Sequence, residues 1–496
     1  MDFLVVLVSI LTVALVFVLW IRKKHAFWKE LGVPYVEPHF FYGNFKDVDQ
    51  YQHDGQFIQR FYRKYKGRSP LIGMYTFLKP VAIAIDIELV KNILIKNFNS
   101  FHDHGTYYNE KDDPLSANLF NLPGTKWRQL RHKLKTAFTT GKVEMMFTTM
   151  WEVAKKFESK IGEACETGGE FHNRKLMTRF TVDVIGSCVL GVEANSLEDE
   201  NNGFFQVGMS IFHNPRHGMR FIFLLNVFRD YARKLRFKLF RDEVIEFYTR
   251  IVRETVDYRL ANHIERNDFM QLLIKLYTSK GEDKLSFNEL LAQAFVFHIA
   301  GFETSSTTLQ FCFYELACNP EIQDRVRNHI KEVLENHNGQ LTYEALMDMK
   351  YLEQVLHETL RKYPPIGLLP REASQDYKIP NTKCVLKKGI NVIVPAYAIH
   401  HDPEFYPNPS RFNPDNFSEE AVKNRPSVAF LPFGEGPRIC IGARVGMMQT
   451  KMGVIAGLRK FRYTLSPRTK QPLKLLSKFN VIYPEEDVWL NVERID

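Results

Sequence analysis

A chain of 496 residues leaves room for about three domains or one large one, and 45% hydrophobic with 25% charged content excludes a disordered chain. The formal charge of +9 comes without a basic block or nucleic-acid motif, so it points to anionic lipid headgroups or an acidic protein partner rather than to nucleic acid. The six cysteines, Cys165, Cys188, Cys312, Cys318, Cys384 and Cys440, form no CxxC pair; zinc and dense disulfide frameworks are set aside, and a reduced, cytosol-facing body is expected.

The chain opens with "MDFLVVLVSILTVALVFVLWIRKK". Phe3 to Ile21 is an apolar run long enough to span a bilayer as a helix. Arg22, Lys23 and Lys24 follow at once, which places the body of the protein on the cytosolic side. A cleaved signal would have a basic start, a shorter core and a small-residue site, so an uncleaved anchor over residues 1–24 is expected. Residues 25–44, with Pro34 and Pro38, read as a stiff linker, and 45–496 as one catalytic body.

"PLIGMYTFLKPVAIAIDIELVKNILI" predicts two short strands around Pro80, then a helix from about Asp86. Amphipathic helical segments dominate from about Thr125 to Tyr363. Strand-like pieces return in "INVIVPA" and in "KFNVIYPEEDVWLNV". There is no internal repeat. The expected fold is mainly α with small β-sheets, in a single large domain.

One helix is unusually well marked. Ser286 and Glu289 stand at capping-box spacing, and Asn319–Pro320 ends the run after roughly 33 residues, about 50 Å. Apolar residues surround much of it, so it should cross the core. Near its middle lies "AGFETSS", small and polar. Thr304 is four residues beyond Ala300, so its hydroxyl can compete for the Ala300 carbonyl and open a groove; Glu303 supplies an ionisable group beside it.

Near the C-terminus stands "FGEGPRICIG", Phe433 to Gly442. Ile439 occupies the place of the third glycine of a dinucleotide fingerprint, and no Gly-Lys-Ser/Thr follows, so neither nucleotide motif is met. Glycines let backbone approach a large planar ligand and point N–H groups at a thiolate. A nearby cation or metal favours that thiolate, the ligating form, and Arg438 can pair with carboxylates of the same ligand. By contrast, His400 and His401 in "AIHHDPEF" are adjacent and cannot readily share one metal.

The spacing Phe433-x-x-Gly436-x-Arg438-x-Cys440-x-Gly442 resembles the haem-thiolate loop of cytochrome P450 monooxygenases, and the resemblance extends over nearly the whole chain. It implies the P450 fold and haem b, with Cys440 as the axial thiolate that favours O–O cleavage. Phe433, Gly434, Gly442 and Ala300 would then contact the haem. "AGFETS" is similar to the family's oxygen-activation element, which implies that Thr304 assists oxygen activation and Glu303 proton delivery. "HETLR" is similar to its Glu-x-x-Arg element, which implies a buried ion network of Glu358, Arg361 and Arg411 beneath the loop. Trp127, Arg131, Arg371 and Arg438 would hold the haem propionates. Lys126, Lys133 and Lys135 suggest a basic face for an electron donor. Pocket candidates are Phe120, Phe297, Ala300, Ile366, Leu368, Leu369 and Phe479.

"AGFETSSTTL" with "FLPFGEGPRICIGARVGMMQ" most resembles insect microsomal members of the detoxification type. That implies oxygen insertion into lipophilic xenobiotics such as plant toxins or insecticides, at the endoplasmic reticulum membrane. Electrons would come from NADPH–cytochrome P450 reductase, with cytochrome b5 as a possible second donor, since the chain has no flavin or nicotinamide motif. A biosynthetic hydroxylase or epoxidase of a hormone, steroid or fatty acid is the alternative. The intact Glu303–Thr304 pair argues against an oxygen-independent isomerase; a non-catalytic haem sensor is the remaining class.

Overall fold

The computed structural model describes residues 2–46, 53–478 and 481–495. Its first helix runs Asp2–His25 and is long and apolar enough to cross a bilayer. Its outward side chains, Phe3 to Trp20, are exposed, whereas Ile21 is buried. The chain then docks on the body. Trp28 is fully buried, its indole N–H donates to the Met74 carbonyl at 2.9 Å, and its ring covers Gly73, where a β-carbon would overlap it.

The strands expected around Pro80 are Leu71–Thr76 and Lys79–Ala84, an antiparallel pair with Pro80 opposite Tyr75. Asp86 caps the next helix by accepting the Leu89 N–H at 2.8 Å. Two distant segments complete this sheet. Asn391–Val394 pairs in parallel with Lys79–Ala84, and Leu369–Glu372 pairs antiparallel with Asn391–Val394. That outermost strand fixes Arg371.

The long helix spans Phe287–Cys318 with its capping box formed as expected. It is buried along most of its length because apolar residues surround it, and the helices Asn173–Ile185, Lys350–Lys362 and Ala443–Leu458 pack around it. The helix Ala443–Leu458 begins directly after the cysteine loop. A hairpin, Leu475–Lys478 with Val481–Pro484, is tied to the Pro365 carbonyl by the Ile482 N–H at 3.1 Å.

Trp28 joins the apolar helix to the sheet, so Trp28→Ala is expected to cost about 3–5 kcal/mol. A lowered thermal midpoint of the full-length protein in detergent would show it.

Candidate active site

The cysteine loop is closed by its own backbone. The Cys440 N–H donates to the Phe433 carbonyl at 2.8 Å, Gly434 N–H to Leu431 at 3.1 Å, and Ile439 N–H to Gly436 at 2.9 Å. Gly434 and Gly436 have positive φ, 71° and 75°. At Gly436 a β-carbon would also overlap the Leu94 carbonyl oxygen, so only glycine fits. Gly442 is different: its φ is ordinary and a β-carbon there would meet no protein atom. Neither backbone conformation nor protein packing demands glycine at that position.

Cys440 is accessible, yet it is surrounded by protein, so it forms the wall of an internal recess rather than outer surface. Burial raises its thiol pKa, while the Gly442 N–H and the Arg131 charge oppose that rise. Ala300 is exposed in the middle of an otherwise buried helix, and Thr304 beside it is half-buried. Gln449, on the helix that leaves the cysteine loop, is fully buried; its Nε2 donates to the Gly301 carbonyl at 2.9 Å and to the Ser305 hydroxyl. This clamp ties the Ala300–Thr304 turn to the cysteine helix.

Thr304 Oγ1 donates to the Ala300 carbonyl at 2.8 Å, as its spacing predicts. The helix nevertheless runs unbroken, because the Ala300 and Gly301 carbonyls take these side-chain donors without leaving the helical path. Glu303 points elsewhere. Its Oε1 accepts from Arg174 at 3.1 Å and from the Tyr483 hydroxyl at 2.7 Å, while Oε2 is buried without a partner. Adjacent helix positions lie about 100° apart, so the two side chains serve different faces.

The four residues expected around carboxylates gather near the loop. Trp127 is buried with the Arg438 guanidinium 4.0 Å from its ring centroid. Arg438 Nε donates to the His102 carbonyl at 2.8 Å and Nη2 to Leu122 at 2.9 Å. Arg131 donates to the Ile439 carbonyl at 2.7 Å. Burial lowers the pKa of Arg438 to about 9 against the opposing charge of Asp103, and that of Arg371 to about 10. Arg371 and Arg131 each depress Arg438, and Arg371 with Arg438 reinforces the burial that drives His104 well below its ordinary value. The nearest carboxylate, Asp103, stands 3.6 Å from Arg438 but is already bonded to the Gly124 N–H at 2.6 Å. Arg371 Nε is buried with no partner.

This is a cationic wall in need of an external dianion, next to a thiol with N–H and guanidinium support. The donor set fits an iron porphyrin: one soft axial ligand, two buried guanidiniums for carboxylates, and a glycine where a planar ring would pass. The class of the site is haem-thiolate.

Comparison with known proteins agrees. The family model for cytochrome P450 matches residues 33–491. The chain is 44% identical over 504 residues to "Probable cytochrome P450 6a23" of Drosophila melanogaster, covering 100% of both chains. It is 43% identical over 493 residues to "Cytochrome P450 6A1" of Musca domestica, covering 98% of this chain and 96% of the relative. The identity to "Cytochrome P450 6a8" of Drosophila melanogaster is 43% over 486 residues, covering 96% of each. The chain belongs to the cytochrome P450 family, whose members are haem-thiolate monooxygenases.

Some expected residues lie elsewhere than anticipated. Glu358 and Arg361 form a bidentate pair at 2.7 and 2.8 Å with both side chains at 0% exposure. Arg411 contributes only its carbonyl, which accepts from Arg361 at 3.2 Å; its own side chain is exposed. A second guanidinium does stand near the pair, that of Arg425 over the Tyr406 ring at 4.4 Å. The Glu358 carboxylate is filled by Arg361, the Asn413 N–H and Asn416 Nδ2, which leaves no place for the Arg411 side chain.

Phe297 is packed between Phe138 and Phe269, with ring centroids 5.1 and 4.4 Å away, so it serves the core rather than the recess. Phe120 is half-exposed against His104, and Ile366 pairs with Val481. Leu368 and Leu369 lean on the sheet. Phe479 lies outside the described residues. Lys126 and Lys133 are engaged by Glu110 and by the Glu282 carbonyl, while Lys135 is exposed.

The segment His102–His104 is a functional element that sequence reasoning missed. It joins Arg438, the Gly124 helix start and Glu372, whose N–H donates to the Asp103 carbonyl at 2.7 Å. The polar "FHDHG" in apolar surroundings was the available signal. Arg174, Tyr483 and Gln449 carried none.

Gly436→Ala is expected to cost at least about 1–3 kcal/mol of backbone strain and to lower the haem bound per chain, read from the haem-to-protein absorbance ratio.

Proposed function

We propose that this protein is a membrane-anchored monooxygenase of the endoplasmic reticulum that oxidises lipophilic xenobiotics such as plant toxins or insecticides. Residues 1–24 act as the anchor, 25–44 as the linker and 45–496 as the catalytic body. Electrons come from NADPH through its P450 reductase, with cytochrome b5 as an auxiliary donor. The reading rests foremost on one observation: an accessible Cys440 stands within the charge field of Arg131, close to the buried Arg438 and Arg371, the latter with an unpartnered Nε. The insect relatives support membership of the P450 family; the detoxification class is carried by the motif resemblance, with biosynthesis as the alternative.

When bound, haem iron held by the Cys440 thiolate supplies the redox chemistry: one oxygen atom of dioxygen enters the substrate, and the other leaves as water with two protons and two electrons. The protein's part begins with orientation. Arg371 and Arg438, aided by Trp127 and Arg131, would hold the propionates, while Phe433, Gly434, Gly442 and Ala300 would leave room for the ring. The Gly442 N–H and Arg131 favour the thiolate that burial alone would disfavour.

The protons need a separate path. Thr304 Oγ1 stands at the recess and can pass a proton to an acceptor there while its oxygen is refilled from behind. Glu303, the neighbouring carboxylate, faces Arg174 and Tyr483 rather than Thr304, so it refills that oxygen only through an intervening donor. Its Oε1 is held by Arg174 and the Tyr483 hydroxyl, and its Oε2 is buried without a partner.

Reconstitution with reductase and NADPH tests the proposal. Product formation from lipophilic insecticides or plant terpenoids supports it; NADPH consumption indifferent to every such compound, with turnover of an endogenous steroid or fatty acid instead, favours the biosynthetic reading. Thr304→Ala should retain haem and consume NADPH while product per NADPH falls roughly tenfold or more, the balance appearing as peroxide. Unchanged coupling would remove Thr304 from the proton path.

A further inference from the structure

His400 is fully buried and ends the short helix Ala396–His400. Two different parts of it are held by two different elements. Its carbonyl accepts from Arg361 Nη1 at 3.2 Å. Its ring Nε2 lies 2.7 Å from the main-chain nitrogen of Leu431. A backbone N–H can only donate, so Nε2 must be the unprotonated, accepting nitrogen, and the ring proton sits on Nδ1.

Arg361 explains why this residue is held so firmly. Its Nε and Nη2 grip the two Glu358 oxygens, and its remaining donors reach the carbonyls of His400, Pro409 and Arg411 at 3.2, 2.7 and 3.2 Å. All five guanidinium N–H groups are thus used inside the protein. None of them reaches the cysteine loop. The link onward is the imidazole: Leu431 receives it, the Leu431 carbonyl accepts from Gly434, and the Phe433 carbonyl accepts from Cys440. The ring is seated against Phe430, 5.5 Å away, which itself packs on Phe417 at 4.6 Å.

We propose that His400 is a positioning residue that transmits the rigid Glu358–Arg361 pair to the cysteine loop, its Nε2 fixing the Leu431 peptide and so the placement of Cys440. This role rests on reading Cys440 as the iron ligand. The imidazole suits it because it stays neutral: burial, with Arg361 and Arg425 nearby, holds its pKa down at about 3, against the pull of the Arg361 and Leu360 carbonyls. A protonated ring would present a donor to a donor.

The test compares wild type, His400→Gln, His400→Phe and His400→Asn as full-length holoprotein, reading haem content and the reduced, carbon monoxide-bound Soret band. Gln places an amide oxygen where Nε2 stands; Phe fills the space without an acceptor; Asn stops short of Leu431. The expected result is a wild-type thiolate band in His400→Gln. In His400→Phe and His400→Asn the share of the displaced, thiolate-lost band should rise about fivefold, the size expected of one net hydrogen bond. Failure of Phe and Asn to incorporate haem while Gln succeeds supports the role equally. A wild-type band in His400→Phe or His400→Asn overturns it, as does failure of His400→Gln. Absence of the thiolate band from wild type instead contradicts the ligand reading beneath it.

Discussion

Arg438 is the residue on which the site depends. A guanidinium buried to this degree is costly unless each N–H is met. The protein meets them chiefly with carbonyls: His102 and Leu122 accept, Asp103 stands 3.6 Å away, and Trp127 lies against its face. The hydrogen bonds are therefore satisfied while one carboxylate faces several cations, with Arg371 and Arg131 adding to the positive charge. The same side chain gathers the cysteine loop, the 102–104 segment and the Gly124 helix start. A porphyrin dianion completes an arrangement the fold has already assembled, which is the sense of preorganisation here.

Behind the loop the logic is reversed. Glu358 and Arg361 neutralise each other in complete burial, and breaking either would cost on the order of 3–5 kcal/mol. Their value lies in geometry: a fully satisfied guanidinium holds three carbonyls at fixed points. In front of the loop, Gln449 fixes the Ala300–Thr304 turn from the helix that Cys440 precedes. Thiol, oxygen-side hydroxyl and ion network are thus referenced to one short stretch of chain.

The elements legible in sequence were those written within one segment. The capping box of Ser286 and Glu289 and the Thr304–Ala300 bond follow from neighbours a few residues apart. The failures are all of long range. Nothing local tells that Leu369–Glu372 closes a sheet with Lys79–Ala84 through Asn391–Val394, yet that pairing buries Arg371. Nothing in "AGFETS" says that Glu303 turns toward Arg174 and Tyr483. The resemblance implied Arg411 as an ion partner, and it serves through its backbone carbonyl. Phe297 was a pocket candidate and is claimed by two aromatic neighbours, Phe138 and Phe269.

The central claim is that Cys440 binds haem iron as a thiolate. The reduced, carbon monoxide-bound absorption spectrum of Cys440→Ser against wild type tests it most directly. The account predicts the thiolate-type Soret band in wild type and its loss in the variant. The same band in Cys440→Ser would contradict it.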